Sequence, residues 1–178
     1  MMEGIINYLL SDNTIANSLL NSYVFKLVPM LNPDGVIIGN YRCSLAGYDL
    51  NRQWVDPKQS FFPEVYHTKM LIKETGNVRL FCDFHGHSRK KNIFIYGCNV
   101  DNKHKERVFP LILSQKYKGF SYEDCSFKVQ KSREGTGRVI VCKELGIINS
   151  YTCESSFCGA NGIHFNPQAY YVIFVLEE

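Results

Sequence analysis

Several side chains in this 178-residue chain are of the types that carry out hydrolytic chemistry. A histidine, His85, can bind a zinc ion, and a carboxylate such as Glu154 can take a proton from a metal-bound water molecule. Arg42 and the adjacent pair Asn51 and Arg52 can hold a substrate carboxylate through charge-assisted, bidentate hydrogen bonds. Together these residues would form a coherent metal-dependent site for a substrate with a free carboxylate.

Each of these residues also has a structural explanation. A lone histidine at a strand end, such as His85, is more often satisfied by backbone groups than used as a ligand. Arg42 and Arg52 could simply be exposed, or could pair with a nearby acidic residue such as Asp49 and contribute little. Glu154 is harder to explain in this way, because a carboxylate near a core rarely lacks a partner or a role.

The stretch Val78–Ser88, VRLFCDFHGHS, predicts the strand that carries His85. It is apolar on both sides, as expected of a strand in the middle of a sheet that is covered on both faces. His85 lies where the apolar run ends, and ligands in open α/β sheets bind outside the carboxyl ends of the strands. A second strand is predicted over Asn149–Glu154, so Glu154 also lies at a strand end.

Strands alternate with helices along the rest of the chain, which indicates an α/β fold. Helices are predicted over 3–10 and 64–74, and Asp12 or Asn13 is expected to cap a second short helix. The other predicted elements are a strand over 23–30, a long loop over 31–54, a strand over 92–98, a helix with loop over 101–119 that Pro110 interrupts, a turn over 133–137, a strand over 139–142 and a helix over Pro167–Leu176.

Composition and charge are those of an ordinary globular domain. Hydrophobic residues make up 45% and charged residues 21% of the chain, which argues against the disordered and fibrous classes. A net charge of +3 does not point to a nucleic-acid partner. The seven cysteines lack the paired spacing of a disulfide framework and suit a reducing cytosol. With no signal peptide and no bilayer-spanning stretch, we expect a soluble intracellular protein with no membrane partner.

Four segments resemble successive motifs of the zinc metallocarboxypeptidases. They are LNPDGVIIGNYRCSLAGYDLNRQW at 31–54, FCDFHGHSRKKNIFIYGC at 81–98, EGTGRV at 134–139 and YTCESSFCG at 151–159. Within that family they are similar to the cytosolic carboxypeptidase branch, which removes glutamates from tubulin and other proteins. The resemblance implies a mixed sheet covered by helices on both faces, and one Zn²⁺ in each complete catalytic site.

The resemblance also implies catalytic roles for three residues. His85, the first histidine of HGHS, would be the third zinc ligand. Glu154, in YTCES, would be the general base that activates the zinc-bound water and passes the proton to the leaving amine. Arg42, in NYRCS, would polarise the scissile carbonyl and stabilise the oxyanion, where negative charge develops in the transition state.

Three further residues would bind the substrate if the resemblance holds. Asn51 and Arg52, in DLNR, would hold the terminal carboxylate, and Arg138, in TGRV, would pair with a glutamate side chain. The implied partners are polyglutamylated protein tails, with tubulin as the expected example. The implied setting is a monomer in the cytoplasm, associated with the cytoskeleton or the cilium.

The sequence departs from the family in its metal motif. The family's first two zinc ligands lie on an H-x-x-E motif, which this sequence does not contain. Its start, MMEGIINYLL, resembles the helix just after that motif, and its last predicted helix is shorter than the family's. We therefore expect residues 1–178 to be a partial catalytic domain, truncated at both ends. Because a catalytic zinc needs three protein ligands, we expect this chain to be inactive alone.

Three hypotheses are open at this point. The first is a metallocarboxypeptidase that acts on polyglutamylated tails. The second is a non-catalytic module that keeps the arginines and binds acidic tails without cleaving them. The third, which the strand pattern favours least, is a different metal site formed by His85, His87 and a cysteine such as Cys82.

Overall fold

The structure, a computed structural model, describes residues 1–40, 42–101 and 103–161. The helices of this part are α1 Met2–Leu9, α2 Thr14–Ser22, α3 Pro33–Ile38, α4 Pro63–Thr75, α5 Val108–Lys116 and α6 Gly137–Leu145. The strands are β1 Phe81–His87, β2 Ile93–Tyr96 and β3 Ser150–Ser156. Short 3-10 helices cover Leu50–Arg52, Lys105–Arg107 and Lys131–Arg133. No helix in the described ranges is long and apolar enough to cross a membrane.

The described sheet is mixed, and β3 is its middle strand. β1 pairs with β3 in parallel, and β2 pairs with β3 in antiparallel orientation, so the predicted mixed sheet is confirmed. In this register Glu154 lies between His85 of β1 and Phe94 of β2. The expectation that the strand carrying His85 is the middle strand is wrong for the described residues, because β1 pairs there along one edge only.

Helices cover both faces of this sheet, as predicted. Tyr151 and Cys153 of β3 belong to a core cluster against which Phe109 of α5 packs. The alternate residues of β3 face the other way, where the hydroxyl of Ser150 donates a hydrogen bond to the carbonyl of Arg138 in α6 (2.7 Å). Because side chains alternate along a strand, this second face also receives the polar ends of β1 and β3.

The predicted strand over 139–142 is wrong, because this segment belongs to α6. The helix follows Thr136 and ends at Gly146, which adopts the left-handed conformation (φ 71°) that favours glycine. Val139, Ile140, Val141 and Cys142 are all buried. A short apolar run does not distinguish a buried strand from a buried helix, so periodicity alone gave the wrong element.

The predicted strand over 23–30 is also wrong. This segment forms none of the described strands, and Val24, Leu27 and Val28 are exposed. An apolar cavity of about 220 Å³ lies between this segment and β1, with residues of both among its lining. Without a continuous backbone ladder to β1, apolar and β-branched residues are not sufficient to form a strand here.

The long loop predicted over 31–54 contains a helix. Asn32 caps α3 by accepting a hydrogen bond from the N–H of Gly35, Pro33 occupies its first position and Gly39 ends it. These are the standard start and stop signals of a helix. Pro110 lies in the first turn of α5 and does not interrupt it, because a proline costs no intrahelical hydrogen bond there.

Other predictions are confirmed. The helix over 64–74 corresponds to α4, and Asn13 caps α2 by accepting hydrogen bonds from the N–H groups of Ile15 and Ala16. The strands predicted over 92–98 and 149–154 correspond to β2 and β3. The helix predicted over Pro167–Leu176 lies outside the described residues.

Candidate active site

A cavity of about 530 Å³ opens at the carboxyl ends of β1 and β3. It lies on the same face of the sheet as α6. Every residue that the sequence singled out lines it; these are Arg42, Asn51, Arg52, His85, Arg138 and Glu154. Residues from separate parts of the chain are thus brought to one place, as expected for ligand sites at the carboxyl ends of strands.

His85 is held in a fixed orientation by Asp83. The Nε2 atom of His85 is 2.7 Å from Oδ2 of Asp83, and both residues lie on the same side of β1. Because a carboxylate only accepts hydrogen bonds, Nε2 carries the proton and donates a hydrogen bond to Asp83. Burial disfavours the imidazolium, but Asp83, with a smaller influence from Glu154, outweighs that cost and raises the pKa of His85 above 6.5.

Asn51 connects this histidine to α6. Its Nδ2 atom donates a hydrogen bond to Oδ2 of Asp83 (3.1 Å) and lies 3.3 Å from Nε2 of His85. Its Oδ1 atom accepts a hydrogen bond from the backbone N–H of Gly137 (2.9 Å). The Asn51 amide is therefore oriented from both ends, as a substrate-binding group must be.

Asp49 lies between the two arginines of the motif. Its Oδ2 atom is 3.6 Å from Nη1 of Arg42 and 3.8 Å from Nη1 of Arg52. Its Oδ1 atom accepts a hydrogen bond from the N–H of Asn51 (2.9 Å). Both arginines therefore pair with an acidic residue, as the structural explanation expects. Partly exposed ion pairs of this kind add little to the free energy of unfolding. Their clearer effect is to keep two guanidinium groups at the cavity wall.

The turn before α6 requires glycine because it packs directly on the segment that carries Asn51. A Cβ atom at Gly135 would lie 2.9 Å from the carbonyl oxygen of Arg52, and one at Gly137 would lie 2.9 Å from Cε2 of Trp54. Trp54 is 1% exposed and donates its backbone N–H to the carbonyl of Gly135 (3.3 Å). The glycines thus allow two distant parts of the chain to meet at the cavity.

Arg138 is a buried cation at the cavity wall. Its side chain donates from Nε to the carbonyl of Gly97 (3.3 Å), and its guanidinium carbon lies 5.7 Å from the ring centroid of Tyr96. Burial is the main reason why its pKa is lowered. In the described part of the chain it forms no ion pair with a carboxylate.

The cavity as a whole is strongly cationic. Its lining includes a single carboxylate, that of Glu154, among the described residues. The basic side chains that line it are Arg42, Arg52, Arg89, Lys90, Lys128, Arg133 and Arg138. Such a cavity favours a ligand with more than one negative charge.

Two acidic residues of the site were missed from the sequence. The sequence pattern indicated Asp83 only as part of a strand, and Asp49 only as a possible partner of Arg42 or Arg52. The spacing of Asp83 and His85, two apart on one strand, places both side chains on the same face and could have indicated their contact. The pairing of Asp83 with Asn51 depends on tertiary structure and has no local signal.

The family model described as zinc carboxypeptidase matches residues 1–177. The chain belongs to the zinc carboxypeptidase family. Cytosolic carboxypeptidase 2 of Mus musculus is 54% identical over an alignment of 167 positions, which covers 90% of this chain and 19% of that protein. Cytosolic carboxypeptidase 3 of Bos taurus is 48% identical over an alignment of 182 positions, which covers 94% of this chain and 18% of that protein. The predicted resemblance to this branch is confirmed, and the chain spans about a fifth of the length of these relatives.

Solved carboxypeptidases share the fold. A metallo-carboxypeptidase from Burkholderia cenocepacia is similar with a TM-score of 0.75 and 26% identity, over 87% of this chain and 43% of that one. The metallo-carboxypeptidase from Pseudomonas aeruginosa, in complex with (2-guanidinoethylmercapto)succinic acid, gives a TM-score of 0.63 and 29% identity, over 88% and 43% of the two chains. The predicted carboxypeptidase fold is thereby confirmed.

The described residues supply only some of the ligands for the zinc that the family name implies. His85 uses Nε2 for Asp83, and its Nδ1 atom has no hydrogen-bond partner in the described ranges. No group of three or more His, Cys, Asp or Glu side chains in those ranges could hold a metal ion. The hypothesis of a site formed by His85, His87 and Cys82 is therefore wrong, since Cys82 packs into the core on the opposite face. The described residues do not form a complete zinc site by themselves.

Proposed function

We propose that this chain supplies the substrate-binding wall and the general base of a zinc-dependent carboxypeptidase that removes C-terminal glutamates from polyglutamylated proteins such as tubulin. The observation that carries the proposal is Arg138, which is 5% exposed, lines the cavity and pairs with no carboxylate of the described residues. A buried charge without a partner is costly, so a site that keeps one is adapted to a ligand of opposite charge. The side-chain carboxylate of glutamate is such a ligand.

The remaining residues suit the other parts of the substrate. Asn51 and Arg52 bind the terminal carboxylate by charge-assisted hydrogen bonds. Arg42 stabilises the negative charge that develops on the scissile carbonyl oxygen. Glu154 accepts a proton from the attacking water and transfers it to the leaving amine. His85 serves as one zinc ligand, oriented by Asp83 as is usual for metal-binding histidines.

The proposed setting is the cytoplasm, because the relatives reported above are named cytosolic carboxypeptidases. Association with microtubules or cilia, and a monomeric state, are parts of the same proposal. The cationic lining of the cavity supports an acidic protein tail as the partner rather than a nucleic acid, since a cavity of about 530 Å³ suits a chain end.

Binding of labelled peptides to the 178-residue chain tests the substrate part of the proposal. Fluorescence anisotropy would compare a peptide that ends in glutamates with a matched peptide that ends in glutamines. We expect at least about tenfold tighter binding of the glutamate peptide, because it places carboxylates among the arginines. Equal affinities would overturn the acidic specificity.

Metal analysis and mass spectrometry test whether the 178-residue chain completes a zinc site by itself. After dialysis, about one zinc per chain together with loss of terminal glutamate from the peptide would support the enzyme. The Glu154→Gln variant should then bind the peptide without shortening it. Little zinc and no cleavage, with selective binding that a chelator does not alter, are the expected result for a chain with an incomplete zinc site, whether it is part of an enzyme or a module that binds acidic tails.

A further inference from the structure

Four basic residues that line the cavity have no role in the function proposed above; they are Arg89, Lys90, Lys128 and Arg133. Two of them, Lys128 and Arg133, come from the segment that precedes α6. Lys90, which also lines it, forms an ion pair with Asp124 (2.7 Å), whereas Lys128 and Arg133 form none with the described residues. Their charges are therefore uncompensated by this part of the chain.

Lys128 faces the cavity because its segment alternates between the core and the cavity. Phe127 is 6% exposed within a core cluster, and Val129 packs against another cluster, while Ser126, Lys128 and Gln130 line the cavity. Hydrogen bonds from Ser126 N–H to Ile95 and from Gly97 N–H to Ser126 fix the backbone against β2. An extended segment anchored in this way forms a rigid polar wall.

Arg133 follows that wall and lines the same cavity as Arg138. It ends the 3-10 helix Lys131–Arg133, and its carbonyl accepts a hydrogen bond from the backbone N–H of Thr136 (3.1 Å), next to α6. After burial, the positive charge of Arg133 is the next influence that lowers the pKa of Arg138. Two guanidinium groups that line one cavity favour an anion within it.

We infer that Arg133 determines specificity together with Arg138, by binding the side-chain carboxylate of the substrate's terminal residue, and that Lys128 adds to the charge of the same wall. A carboxylate has two oxygens and can accept hydrogen bonds from two guanidinium groups at once. The bound carboxylate also relieves the repulsion between the arginines, so it is favoured over a neutral amide of the same shape. This inference rests on the proposed function, because it assumes that Arg138 binds that carboxylate.

The test is a cycle that changes Arg133 and the terminal residue of the peptide, with binding measured by anisotropy on the full chain. The two peptides differ only in terminal glutamate or terminal glutamine. We expect Arg133→Gln to weaken binding of the glutamate peptide about fivefold and to leave the glutamine peptide nearly unchanged. Adding Lys128→Gln to Arg133→Gln should reduce the preference for the glutamate peptide further. Arg133→Lys, which keeps a positive charge, should retain part of that preference.

Lys116→Gln is the matched control for the loss of one positive charge. Lys116 is exposed in the last turn of α5 and does not line the cavity. If Arg133→Gln weakens both peptides equally, or no more than Lys116→Gln does, the assignment of Arg133 is overturned while the proposed function stands. If the unaltered chain does not prefer the glutamate peptide, the proposed function itself fails, so the two failures are distinguishable.

Discussion

The two edges of β1 pack against very different partners. One edge pairs with β3 in a continuous parallel register from Phe81 to His87. The other faces the extended segment 23–30 across an apolar cavity, with no strand pairing in the described residues. Residues of the same type differ in burial between the two regions. Val141, in the helix α6 that packs against β1 and β3, is fully buried, whereas Val28 is 40% exposed. Apolar character alone therefore does not decide how tightly a segment packs.

The candidate site belongs to the well-packed side. Its polar groups come from β1, β3, the start of α6 and the segment that contains Arg42, Asn51 and Arg52, and core residues such as Leu50 and Trp54 lie next to that segment. Because a binding site needs its groups held to within fractions of an ångström, a rigid support of this kind is required. The loosely packed segment 23–30 contributes nothing to the cavity lining.

The largest expected effect in this comparison comes from a matched pair of valines. Val141→Ala removes two methyl groups from a fully buried site, so we expect a loss of about 2–3 kcal/mol in the free energy of unfolding. Val28→Ala removes the same groups from an exposed site and should cost less than about 0.5 kcal/mol. Urea denaturation of both variants checks this. Equal losses would mean that segment 23–30 is as well packed in solution as α6.

A smaller effect is expected at the glycine turn beside the site. In Gly137→Ala the new methyl group would lie 2.9 Å from Trp54, so we expect destabilisation of about 1–2 kcal/mol from overpacking. Since the N–H of Gly137 donates to Asn51, the same variant should also weaken peptide binding. Denaturation and anisotropy measured on one preparation would show both effects.

Gly47→Ala is the control for this turn. Gly47 has a φ of +78°, and an added methyl group would meet nothing within 4 Å. The variant should lose about 1 kcal/mol through backbone strain alone, with peptide binding unchanged. If Gly137→Ala lowers stability but binds peptide as well as Gly47→Ala does, the contact between α6 and Asn51 does not support binding.

The smallest effect is expected at the ion pair between Lys90 and Asp124, on the rim of the cavity. The hydrogen bond from Lys90 lowers the pKa of Asp124 below 3.8, so the pair stabilises the fold above that pH and its contribution is lost as pH falls through the lowered value. Lys90→Gln should cost about 0.5 kcal/mol near neutral pH, because the pair is partly exposed. Urea denaturation over a pH series should show this difference fading below pH 3.8. If the difference persists in acid, the loss of stability comes instead from the packing of Lys90 over the ring of Phe94.

Much of the candidate site was predictable because its residues lie in local patterns. The strands that end near His85 and Glu154 follow from their runs of apolar residues, and the motif around Asn51 and Arg52 needs no long-range information. The structure brings these residues to one cavity, as their positions at strand ends led us to expect. Their catalytic roles stay predictions that the experiments above would test.

Sequence alone determined the alternation of strands and helices, a helix cap at Asp12 or Asn13, and six of the residues that line the cavity. Only the tertiary structure decided that 139–142 is a helix and that 23–30 is not a strand, because short apolar runs suit either element until their partners are known. It also decided that Arg133 lines the same cavity as Arg138, since this depends on how α6 and its preceding turn pack against the sheet.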